Sequence, residues 1–191
     1  MTKLSYQRPI ILIGLMGCGK TTVGRELSKL LAMPFLDMDA VIEEQIGKPI
    51  RDIFRDEGEQ RFRLLETALL RYLLDNMESN RAGVPIISTG GGVVLRRENR
   101  QILRQLGFCI WLNVEIPTLL ARTARSANRP LLAHPNRRDI LERLSCERAP
   151  LYKETAHLML DSTHMDITGV VRRIHEAARC FFNEPLHSAT E

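Results

Sequence analysis

Gly14-Leu15-Met16-Gly17-Cys18-Gly19-Lys20-Thr21 is the stretch of this sequence best equipped for chemistry. It satisfies GxxxxGK[ST], follows the apolar run IILI and opens a helical pattern, the context such a loop requires. Its glycines let the backbone curl until successive N–H groups point inward at phosphate oxygens. The helix start adds a positive dipole end. Lys20 supplies charge and Thr21 a metal-facing hydroxyl, so the expected ligand is a nucleoside triphosphate. The Cys18 side chain occupies a variable position of the loop and reads as packing filler.

What happens to the triphosphate depends on further residues. Asp37-Met38-Asp39 closes the strand-like PFL, which puts two carboxylates near the carboxyl end of a parallel sheet, where ligands sit. One can hold magnesium, directly or through water, and the other can accept a proton from an attacking hydroxyl. Asp39 also precedes the helical AVIEEQI as a cap does. Gly90-Gly91-Gly92 follows the strand-like PIIST and permits a ligand to approach bare backbone N–H groups. In GEQRFRLLE, Arg63 and Glu66 stand three apart on one helix face, where the carboxylate can orient the guanidinium. ANRPLL places Arg129 in an irregular segment, and CERAPLY places Arg148 near the end of a helix stopped by Pro150.

These residues need a scaffold, and the patterning predicts one. Short apolar runs at Pro9 to Ile13, Pro34 to Leu36, Pro85 to Ser88, Phe108 to Asn113 and His157 to Leu160 read as five parallel strands covered on both faces. Helical patterns alternate with them at Lys20 to Leu31, Ala40 to Ile46, Ile50 to Arg55, Gly58 to Asn76, Glu98 to Leu106, Ile116 to Ala124, Arg138 to Tyr152 and Ile167 to Phe182. The alternation specifies an α/β fold. Arg125 to Asn136, with two prolines among small and polar residues, reads as a mobile lid. Residues 1–182 read as one domain and 183–191 as a disordered tail.

Composition narrows the class. The 191 residues are 44% hydrophobic and 26% charged, enough for one sizeable core. No run of 18 apolar residues and no secretory signal is present, so the expectation is a cytoplasmic protein without a membrane partner. Cys18, Cys109, Cys146 and Cys180 are too scattered for a disulfide framework or a zinc site and are expected as reduced thiols. The net charge of +4 comes from 22 arginines and 5 lysines spread along the chain, with only 5% aromatics. That distribution argues against nucleic acid and for small anions, whose paired oxygens match arginine's planar fork.

The P-loop, DMD, FRDEGEQRFRLLE, GGG, RPLL and ERAPLY occur in the order and at about the spacings of the shikimate kinase family, over roughly Ile10 to Tyr152. This resemblance implies a nucleoside monophosphate kinase-like, three-layer P-loop fold with a five-stranded parallel sheet. It also implies magnesium-dependent transfer of the γ-phosphoryl of ATP to the 3-hydroxyl of shikimate; ATP and shikimate are the expected partners, and a monomer is expected. Carried over residue by residue, the Gly17, Cys18, Gly19, Lys20, Thr21 and Thr22 backbone and the Lys20 side chain hold the ATP phosphates. Thr21 binds magnesium and Asp37 supports it through water; Asp39 binds the reacting hydroxyl as the base. Arg63, Gly91 and Arg148 hold shikimate, Arg129 comes from the lid onto the phosphates, and Arg122 contacts adenine. The segment after Asp161 departs from the pattern, with Met165 about where some members carry a second adenine-contacting arginine. Beside this reading stand another small-molecule P-loop kinase of gluconate kinase or adenylate kinase type, a GTPase switch, which lacks an NKxD-like tetrapeptide here, and a non-catalytic ATP-binding or nucleic-acid-binding module.

Overall fold

The computed structural model of the protein describes residues 6–77, 83–123 and 136–183. Five strands, β1 (Ile10–Ile13), β2 (Phe35–Asp37), β3 (Ile86–Ser88), β4 (Phe108–Asn113) and β5 (Leu158–Asp161), form one parallel sheet in the order β2-β3-β1-β4-β5. All five sequence-derived strands are present, displaced by a residue or so at their ends. Ile10 to Ile13 are fully buried at the centre, as a strand covered on both faces must be.

Strand order decides where the helices go. The connection from β1 through α1 (Lys20–Leu31) runs toward the β2 edge, whereas α4 (Arg97–Leu106) and α6 (Arg137–Thr155) carry β3 to β4 and β4 to β5 in the opposite direction. Right-handed crossovers running in opposite directions place their helices on opposite faces. Accordingly α1 packs with α7 (Ile167–Asn183), while α4 packs with α3 (Ile50–Asp75) and with α6. The chain therefore leaves the neighbouring strands β1 and β3 toward opposite faces, and a crevice opens between them at their carboxyl ends. Among the described residues no helix is long and apolar enough to cross a membrane.

Several local expectations need correction. The helix expected at Ala40 begins at Met38, so α2 is Met38–Ile46 and its cap is Asp37, whose carboxylate accepts from the Asp39 N–H; Asp39 lies in the first turn. The helices expected on either side of Gly58 run as α3 with a break at that glycine (φ 81°, ψ 167°). Pro150 does not stop its helix: α6 continues to Thr155 because Tyr152 and Thr155 beyond it are buried. The ring costs the helix one hydrogen bond, but Pro150 and Cys146, whose carbonyl loses that partner, both lie on the exposed face, where water can serve it. A 3-10 turn at Val93–Leu95 directly after the glycines was not foreseen, and α5 covers Ile116–Thr123. Residues 125–135 of the expected lid and the 184–191 tail lie outside the described residues. Cys18, Cys109, Cys146 and Cys180 are free thiols.

Candidate active site

The loop between β1 and α1 bends tightly against its neighbours. Gly17 has φ +82°, and a Cβ there would stand 2.5 Å from the Thr123 methyl on α5, so glycine is required both by conformation and by space. Lys20, the first residue of α1, is buried. Its Nζ donates to the carbonyls of Gly14 (2.8 Å) and Leu15 (3.0 Å), with the Cys18 Sγ at 3.7 Å. An ammonium held against the loop's own carbonyls is poised where phosphate oxygens would replace them. A cavity of about 660 Å³ opens over this loop, lined by residues from Met16 through Val23, by Asp37, Asp39, Ser88, Thr89 and Gly91, and by Arg122.

On the β2 side of the loop, Thr21, Asp37 and Ser88 come together. The Thr21 hydroxyl donates to Asp37 Oδ2 at 2.8 Å and lies 3.4 Å from Ser88 Oγ. Register produces this, since Asp37 and Ser88 are paired residues of neighbouring parallel strands. Three hard oxygens facing a cavity suit a magnesium ion shared with phosphates. Among the described residues no group of three or more His, Cys, Asp or Glu is spaced to hold a metal by itself. Ser88 reads from the sequence only as the end of a strand, because strand pairing alone carries it to Asp37.

Beyond Asp39 the cleft wall carries two arginines. Arg63 donates through Nη1 to Glu66 Oε2 at 2.7 Å, and through Nε and Nη2 to Glu59 Oε1 at 3.1 and 2.7 Å, while its guanidinium lies over the Phe62 and Phe54 rings. Arg148 is 6% exposed and donates to the Gly91 carbonyl at 3.1 Å. The same carbonyl accepts from Tyr152, whose ring stacks on Trp111. The three glycines make this convergence possible. A Cβ at Gly90 would stand 2.7 Å from Glu66 Oε1 and 2.9 Å from Asp39 Oδ1, and one at Gly92 would stand 2.4 Å from the Arg63 guanidinium. Behind them, buried Asn99 accepts from Thr67 and donates to the Val93 carbonyl, tying α3, α4 and the 3-10 turn together.

Electrostatics follow from this packing. Burial pushes the Glu66 carboxyl up to about 7, assisted by the Asp39 charge and opposed by Arg63 and Arg148. In the same cavity Arg122 reaches the Cys18 carbonyl at 3.4 Å, and Met165, Asp166 and Ile167 also line it. The structure thus brings Lys20, Thr21, Asp37, Asp39, Gly91 and Arg122 around one cavity and sets Arg63, Glu66 and Arg148 against its glycine wall. Arg129 lies outside the described residues. Asn99 joins this assembly without any sequence signal, and Tyr152, the last residue of ERAPLY, has no role in the sequence reading, since each acts through a backbone carbonyl brought near by packing.

Comparison with known proteins points the same way. A family model described as shikimate kinase matches residues 16–179. The chain is 42% identical over 172 residues to the shikimate kinase of Dechloromonas aromatica, covering 90% of this chain and 91% of that protein. It is 45% identical over 165 residues to the shikimate kinase of Thioalkalivibrio sulfidiphilus, covering 86% and 84%. The solved structure of shikimate kinase from Acinetobacter baumannii in complex with shikimate superposes with a TM-score of 0.84 at 36% identity, over 93% of this chain and 96% of that one. A gluconokinase from Sinorhizobium meliloti, at TM-score 0.55 and 16% identity over 94% and 95%, shares the fold alone.

Proposed function

The chain belongs to the shikimate kinase family, an ATP-dependent phosphotransferase family, and from that premise we propose how its cleft transfers the γ-phosphoryl group of ATP to the 3-hydroxyl of shikimate. The observation that carries the reading is the meeting, at Gly91, of a phosphate-cradling loop with a pocket built from two arginines and two carboxylates. ATP lies along the cavity with its phosphates on the Gly17 to Thr22 backbone and its base between Arg122 and the Met165 to Ile167 segment at the start of α7. Lys20 turns from the Gly14 and Leu15 carbonyls to the phosphates and neutralises their charge.

Shikimate is a small ring bearing one carboxylate and several hydroxyls. Arg63 and Arg148 take the carboxylate, the Gly91 backbone closes the wall beside it, and Asp39 receives the reacting hydroxyl and accepts its proton. Thr21 and Asp37, with Ser88 beside them, would hold a magnesium ion; when bound, it supplies positive charge to the phosphate oxygens. A loose phosphoryl transition state asks mainly for alignment and charge neutralisation, which these residues are placed to provide. The reading includes action as a monomer in the cytoplasm, where the four cysteines would stay reduced.

Coupled ADP release across a panel of hydroxy acids tests the assignment. Turnover is expected with shikimate and not with gluconate or nucleoside monophosphates. ATP binding without turnover on any acceptor would refute it.

A further inference from the structure

Glu66 is the most deeply buried acidic side chain beside the cleft, at 0% exposure, and the mechanism above gives it no chemical step. Its two oxygens differ. Oε2 accepts from Arg63 Nη1, whereas Oε1 is buried with no hydrogen-bond partner among the described residues and points at Gly90. Asp39 Oδ1, from α2, converges on the same point above Gly90, so the two carboxylate oxygens lie no more than about 5.6 Å apart. The charged groups facing Glu66 are Arg63 on its own helix, Asp39 from α2 and Arg148 from α6. The loop after β3 presents only backbone at Gly90, and α4 contributes the neutral Asn99, one residue away at Thr67. Glu59, which also holds Arg63, is mostly in solvent.

The inner set therefore contains two cations and two carboxylates. An anionic acceptor entering between Arg63 and Arg148 adds a third negative charge in a water-poor pocket and draws guanidinium donors away from Glu66. A buried carboxylate that loses its partner and gains a like-charged neighbour is driven to its neutral form. We infer that Glu66 Oε1 takes up one proton from solvent as the acceptor's carboxylate binds, and returns it when the phosphorylated product leaves. Glu66 is thus a positioning residue that keeps the acid pocket electrically balanced. Because its carboxyl is already raised to about 7 in the free protein, the uptake falls in the neutral range, where shikimate's carboxylate is fully ionised.

The inference rests on the acceptor lying between the two arginines, and the test separates the two ideas. Shikimate is titrated calorimetrically into the full chain, in buffers of different ionisation enthalpy, at pH 6, 7 and 8. Wild-type protein is expected to take up almost no proton at pH 6, where Glu66 is already neutral, and most of a proton at pH 8. Linkage then requires the affinity to fall about fivefold to tenfold from pH 6 to pH 8. Glu66→Gln, a permanently neutral mimic, is expected to bind with no uptake, with an affinity flat across this range and close to the wild-type value at pH 6. A carboxylate needed only to hold Arg63 predicts instead weakened binding by Glu66→Gln at every pH, and that result overturns the inference. So does buffer-independent heat at pH 8 in wild-type protein that still binds shikimate, a reading that stands even if the variant fails to fold. Absence of binding at every pH overturns the acceptor assignment and this inference with it.

Discussion

Replacing Gly92 by alanine adds one methyl group at a position where the backbone tolerates it, since φ −102° and ψ 3° are open to any L-residue. The added Cβ would stand 2.4 Å from Cζ, Nη1 and Nη2 of Arg63, roughly 1 Å inside ordinary contact. The guanidinium must therefore shift by about that distance, away from the line that joins it to Glu66 at 2.7 Å. If Arg63 holds the acceptor's carboxylate, the shift forfeits a charge-assisted hydrogen bond, worth about 1.5–3 kcal/mol, or roughly 10- to 150-fold in Kd. Calorimetric titration of Gly92→Ala should show that loss for shikimate and leave ATP affinity unchanged, because Gly92 does not line the nucleotide cavity. In an Arg63→Ala background the alanine should add little further, a non-additivity expected of two changes acting on one contact. Wild-type shikimate affinity in Gly92→Ala, or full additivity with Arg63→Ala, would refute the placement of Arg63 on the substrate.

Three further outcomes are expected. Lys20→Ala should fold and lose about 10²–10³ in turnover, the usual cost of removing one preorganised electrostatic partner, so near-wild-type kcat in the folded variant would contradict the phosphate role. Asp39→Asn should abolish turnover while Mg-ATP still binds, whereas Asp37→Asn should raise the magnesium requirement; identical magnesium titrations of the two would erase the division of labour. For Glu66, the folded-state carboxyl lies above its unfolded value, so its stabilising contribution is complete below about 4.5 and is lost as pH rises through about 7. Thermal melts should accordingly show Glu66→Gln more stable than wild type at pH 8 by up to about 3 kcal/mol, with the gap closing in acid. A pH-independent difference would count against a buried carboxylate at this site.

The elements were largely legible before the structure because their signals are local. An apolar run bounded by glycine, or a helical repeat of apolar residues, is written in contiguous residues and depends little on what lies opposite. Phe108 to Asn113 and Lys20 to Leu31 appear with the boundaries their patterns predict. Local rules failed where distant packing outweighed them. Pro150 reads as a stop, but the burial of Tyr152 against Trp111 and of Thr155 in the core carries the helix past it. Asp39 reads as a cap, but the helix starts earlier and the strand delivers Asp37, two residues before it, to that place.

The site divides along the same line. The sequence alone determined the P-loop, since strand, glycine turn, lysine and helix start are neighbours along the chain and need only local geometry to form a phosphate cradle. Through the order of its motifs it also determined the family. Tertiary structure alone decided that Asp39 and Glu66 converge on Gly90 with Arg148 on the neighbouring Gly91, that Ser88 joins Thr21 and Asp37, and that Glu66 is wholly buried. Burial and mutual distance set the charge state of a carboxylate, and both depend on how helices pack across a sheet. Residue type and spacing therefore identify the groups, while packing decides which of them hold protons.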